Sequence, residues 1–189
     1  MIAALRQLRK DKRGASVAEF ALILPILLGL TFGIIEVGIL AWQLQLGSFA
    51  SKKAVRIAST RSLVVPGSLP DCGVSANGFP AGTVCSDIPG SSGWSVTCSA
   101  SNCGPDFDRV VQEIVDIYPQ AAPENIQIEL QGAGLGFVGL GRPVPIITVS
   151  FVGLTYDFPV LSNVLGLGSV NLPVLSASAP AEDLTNGGG

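Results

Sequence analysis

Between Phe20 and Ser51 a single charged residue, Glu36, interrupts a run that is otherwise uncharged and mostly apolar. No other feature limits the fold as strongly. About 20 apolar residues in a helix rising about 1.5 Å each cross the hydrocarbon of a bilayer. The run meets that length with Glu36 near the far headgroups. It exceeds the usual apolar core of a secretory signal, and no A-x-A-like cleavage site closes it. One long helix over residues 15–61 is therefore predicted, with Pro25 its only proline and the expected place for a kink or a local loss of hydrogen bonding.

Charge supports a membrane orientation. The chain carries a net −3, with 13% charged residues and a mean hydropathy of +0.52. Residues 1–14 hold Arg6, Arg9, Lys10, Lys12 and Arg13 against Asp11. Residues 62–189 hold eleven acids against Arg109 and Arg142. Bases before a span place its N-terminus in the cytoplasm, although Lys52, Lys53, Arg56 and Arg61 beyond the span reduce the asymmetry. An acidic body repels phosphate backbones, so a nucleic-acid partner is excluded. Trp42 belongs to the outer membrane interface, where tryptophan is common.

The four cysteines, Cys72, Cys85, Cys98 and Cys103, all lie beyond the span. Their C-x12-C-x12-C-x4-C spacing lacks the tight pairs of a zinc site, and the chain has no histidine. Disulfides in an oxidising compartment are the expected state. Four cysteines permit three pairings, which spacing does not decide; Cys72–Cys85 with Cys98–Cys103 is the most local.

Beyond the membrane, GSFASKKAVRIASTR continues the helix amphipathically, with Phe49, Ala50, Ala54, Ile57 and Ala58 suited to packing on a folded domain. Residues 62–105 are rich in Gly, Pro, Ser and Cys and are read as loop held by disulfides, with a short strand at WSVTC. DFDRVVQEIVDIYP is a short helix capped by Asp106, with Phe107, Val110, Val111, Ile114 and Ile117 facing inward. ENIQIEL alternates as a half-buried strand. PIITVSFVGLTYDF reads as one longer buried strand, and SVNLPVLSASA as a third that Pro173 confines to an edge or bulge. The expected fold class is α+β: a long N-terminal transmembrane helix, then a small exported domain over 106–180 with one short helix and an antiparallel sheet of three or four strands. Residues 181–189 form a tail.

No catalytic set emerges. Gly134, Gly136 and Gly139 match G-x-G-x-x-G, but a strand follows them where a dinucleotide site needs a helix. Asp106, Glu113 and Asp116 form the polar side of a helix that also carries Arg109. No histidine base, G-x-S-x-G or phosphate loop is present. The expectation is a non-enzymatic protein without cofactor or metal.

Glu19 is the remaining anomaly, since a carboxylate at the start of a span needs a partner or must snorkel to the interface. If the chain is cut after Gly14, Ala15 presents a new amine and Glu19 is the fifth residue of the mature chain. That amine, in the same chain or in a staggered neighbour, can neutralise the carboxylate and reward correct register.

The stretch RGASVAEFALILPILLGLTFGIIEVG resembles the N-terminal signature of TadE-like proteins, minor pilins or pseudopilins of the tight-adherence (Flp, type IVc) pilus system. The matching features are basic residues, Gly14, Glu19 with Phe20, Pro25 within the apolar run, and Phe32-Gly33-Ile34-Ile35-Glu36. The resemblance implies processing after Gly14, at the Gly14–Ala15 bond, by a membrane prepilin peptidase that reads Glu19 and Phe20. It implies an assembly role for Ala15 and Glu19. Flp-type motifs often have tyrosine after the glutamate; Phe20 keeps the ring and loses the hydroxyl. Implied partners are the peptidase, other pilins or pseudopilins and the inner-membrane assembly platform. The implied location is the bacterial inner membrane, single-pass, with the N-terminus cytoplasmic and the C-terminal domain periplasmic, or the extracellular pilus itself. The alternative is an uncleaved, single-span periplasmic binding or sensing module.

Overall fold

The computed structural model describes residues 14–60, 78–100, 102–104, 106–139, 144–166 and 168–181. Helix α1 covers Ala15–Ser59 and runs through Pro25 as one helix. Proline has no N–H to donate to the carbonyl of Ala21, so one rung of the ladder is absent there. The chain divides into two compact units: α1 up to Ala41 together with Tyr156–Val170, and Trp42–Thr155 together with the chain from Asn171 onward.

The larger unit is a two-layer α+β domain. Strand β1 spans Ser92–Cys98, helix α2 Phe107–Val115, β2 Ile126–Leu135 and β3 Val144–Phe151. Next in chain order come β4 at Thr155–Tyr156 and β5 at Val170–Asn171, with helix α3 at Leu161–Leu165 between them in the smaller unit, and then β6 at Leu175–Pro180, again in the larger one. The main sheet has the order β1-β2-β3-β6, and its three pairings are antiparallel. Strict alternation sends Ile126, Ile128 and Leu130 of β2 and Ile147, Val149 and Phe151 of β3 to one buried face. Residues of the second half of α1 (Ala50, Ala54, Val55 and Ala58) and of α2 (Phe107, Val110, Val111 and Ile114) join the same core. The helix face is built of small side chains, which lets its backbone lie close to the sheet. Gly47 extends this: a β-carbon there would stand 2.5 Å from the Leu175 methyl.

Three readings of the chain need correction. The stretch PIITVSFVGLTYDF is not one strand: β3 ends at Phe151, and Gly153, at φ 67°, turns the chain before β4. The stretch SVNLPVLSASA is likewise two strands, β5 and β6, separated around Pro173, with β6 at the sheet edge. Asp106 occupies the N-cap of α2, but its backbone is already helical and its side chain makes no capping hydrogen bond.

The glycine triplet is explained by backbone geometry. Gly134, Gly136 and Gly139 have φ values of 68°, 115° and 82°. A β-carbon on Gly134 would also sit 2.8 Å from Cα of Ser86. These glycines allow a bulged strand end to lie against the Cys85–Asp87 turn.

Candidate functional site

The processing and assembly residues expected from the sequence lie at the N-terminal end of α1. Gly14 is exposed, and, its chain neighbours and the adjoining helix backbone aside, no atom of the described residues lies within 4 Å of where its β-carbon would be. Helix α1 begins at Ala15, and Glu19 follows one turn later on the same face of the helix, exposed. Phe20 is 61% exposed. Among the described residues Glu19 has no ion-pair partner. From Val17 to Trp42 the helix presents a nearly continuous coat of exposed aliphatic and aromatic side chains, including Leu22, Ile26, Leu30 and Ile34. In water such a surface is strongly unfavourable, whereas hydrocarbon covers it at no cost. Val17–Ser59 is long and apolar enough to cross a membrane. One such N-terminal helix fits a single-pass anchor.

Glu36 behaves differently from Glu19. It is 4% exposed in the middle of that apolar surface. Its carboxylate accepts hydrogen bonds from two backbone amides: Val160 N–H to Oε1, and Leu161 N–H to Oε2 at 3.0 Å. Val160 is the N-cap of α3, and valine has no side-chain acceptor with which to cap it. Glu36 therefore supplies, from a position 124 residues away, the hydrogen-bond acceptors that the start of α3 lacks. Read from the sequence, Glu36 is a charge near the far headgroups and part of the resemblance motif, with no partner assigned. The signal available was the rule applied to Glu19, that a carboxylate in a span needs a partner.

The cysteines divide into two sites. Cys98, at the end of β1, is disulfide-bonded to Cys103 across a Cα separation of 5.0 Å. Between them Ser99 N–H donates to Asn102 Oδ1 at 2.8 Å and Asn102 N–H to the Ser99 carbonyl at 2.9 Å, a tight turn joining β1 to the start of α2. Cys98 is buried in the main core, and Cys103 packs against it. Cys85 is also disulfide-bonded and is buried in a separate small cluster with Ile88 and Val138. Cys72 lies outside the described residues.

Comparison with known proteins bears on α1 alone. Residues 14–56, less than a quarter of the chain, match the family model described as TadE-like protein. Among curated proteins and among solved structures no match is found. The segment that starts at Gly14 and carries Glu19 and Glu36 is thus similar to the TadE-like family, which is associated with the Tad pilus.

Proposed function

We propose that the protein is a minor pilin or pseudopilin of a tight-adherence pilus, processed after Gly14 and anchored by α1 before assembly. The observation that carries this is the coincidence of the family match with the start of α1. The matched segment opens at Gly14, and Glu19 stands one helical turn beyond Ala15. A protease acting at the cytoplasmic surface needs an accessible bond, and among the described residues Gly14 is exposed. Cleavage would create an amine at Ala15, and a carboxylate one turn away can neutralise it within one chain or between staggered helices. In hydrocarbon an unpaired charge is costly, so this pairing would favour one register of subunits over others. The residues proposed for peptidase recognition are Gly14, Ala15, Glu19 and Phe20; those proposed for assembly are Ala15 and Glu19. Cys72 is proposed as the partner of Cys85, which would tether the exported segment around residues 62–105.

The proposed partners are a prepilin peptidase, other pilins and the assembly platform. The proposed location is the inner membrane with the C-terminal domain in the periplasm. No step in this role requires bond-making chemistry by the protein.

Glu19→Ala tests the reading. Membrane insertion should persist, because the apolar coat is untouched, while piliation of the host strain should be lost. Wild-type piliation in that strain would remove Glu19 from assembly and favour an uncleaved, membrane-anchored periplasmic module.

A further inference from the structure

The segment on which Glu36 acts has its own surface chemistry. From Phe158 to Ala181 the chain contains no charged residue, and its first part reads FPVLSNVL. Tyr156 and Phe158 are both buried, with their rings in edge contact at a centroid distance of 5.0 Å. Next to them Leu161 lies against α1, its Cδ2 3.5 Å from where a β-carbon on Gly33 would stand. Val160 and Leu161 line a groove of about 710 Å³ with Pro25, Ile26, Leu30 and Val37. The groove wall is almost wholly apolar, and it is formed by the same helix stretch whose remaining surface is exposed aliphatic.

Position along α1 then fixes the depth of this segment, given that α1 spans the membrane as proposed above. A hydrocarbon crossing of about 20 residues that starts at Phe20 ends near Ile39. Gly33 lies six residues before that point, or about 9 Å at the helical rise. A segment held against Gly33 and Glu36 is thus held at the level of the outer leaflet. Hydrogen bonding from Val160 and Leu161 explains how Glu36 tolerates that level, because its two oxygens are satisfied by amides that would otherwise be unpaired at the start of α3.

We infer that residues 158–165 form a second membrane contact, a short uncharged insert in the outer leaflet that Glu36 fastens to the spanning helix, with lipid acyl chains filling the groove beside Leu161. Amphipathic elements lying in the interface use this same combination of an apolar face and satisfied backbone groups. The anchor of the protein is then one span and one re-entrant foot.

The test is depth-dependent photolabelling of the full-length protein in phosphatidylethanolamine–phosphatidylglycerol vesicles doped with a diazirine-acyl phosphatidylcholine, with labelled positions mapped by peptic digestion and mass spectrometry. The expected result is label on residues 17–40 and, at comparable yield per residue, on 158–165, with none on β1. Glu36→Ala should lower labelling of 158–165 several-fold and leave that of 17–40 unchanged. Label confined to 17–40 overturns the insert and assigns the groove to water or to a protein helix. Absence of label from both segments overturns the spanning helix itself and the insert with it.

Discussion

The two halves of α1 are one unbroken helix serving two solvents. Up to Ala41 its large apolar side chains point outward: Leu22 is 75% exposed and Ile34 is 73% exposed. From Leu46 onward the exposed positions are polar or charged apart from Phe49, and the buried ones are small apart from Val55: Ala50, Ser51, Ala54, Val55, Ala58 and Ser59 are each at most 5% exposed. The first half is suited to being covered by hydrocarbon. The second is suited to being covered by a sheet at close range. Hydropathy alone describes the former, while the latter shows as a face of small residues with Lys52, Lys53 and Arg56 on the other side. The comparison teaches that length and apolarity identify the span, and residue size identifies the docking face.

The largest expected effect comes from placing one substitution in each half. Ala54→Glu forces an unpaired charge into a packed core and should cost about 4 kcal/mol or more, enough to unfold the exported domain. Leu22→Ala, on the outward half, should leave the urea midpoint of the domain unchanged in detergent. Equal midpoint shifts from the two variants would break the distinction between the halves.

A middling effect is expected at the β1–α2 junction. Replacing Cys98 and Cys103 by serine removes the bridge that closes this tight turn and also buries a hydroxyl, costing about 2–3 kcal/mol. The melting temperature of the oxidised variant should fall below that of the oxidised wild type, and reduction should lower it further because the Cys85 bridge is still present.

The smallest effect concerns Tyr118, whose ring contacts Phe151 in the same core and whose hydroxyl is buried without a protein hydrogen-bond partner among the described residues. Tyr118→Phe should be neutral or stabilising by about 1 kcal/mol. Burial raises the Tyr118 pKa above its ordinary value of 10.0. The folded protein thus keeps this proton to higher pH than the unfolded chain does. The associated stability is full below pH 10.0 and declines as pH rises through the folded value. Alkaline unfolding of Tyr118→Phe should lack this contribution, which denaturation at stepped pH would detect.

Much of this architecture was legible in the residues. The apolar run marked α1, the alternation of Ile126, Ile128 and Leu130 marked β2, and the 3.6-residue spacing of Phe107, Val110, Val111 and Ile114 marked α2. What escaped was non-local. Continuous β-branched and aromatic character across Phe151 hid a turn that depends on Gly153 adopting a positive φ. The cap on α3 comes from Glu36, on an element that local reading assigns to the membrane. The proposal for Gly14, Glu19 and Phe20 rests on a contiguous motif, which local reading is able to pick out.

Processing after Gly14, as proposed, would make Ala15 the first residue of the mature helix. Intact mass spectrometry of the protein from native membranes tests it directly. The account predicts a chain that starts at Ala15, with Glu19 as its fifth residue. A chain that still begins at Met1 would contradict it.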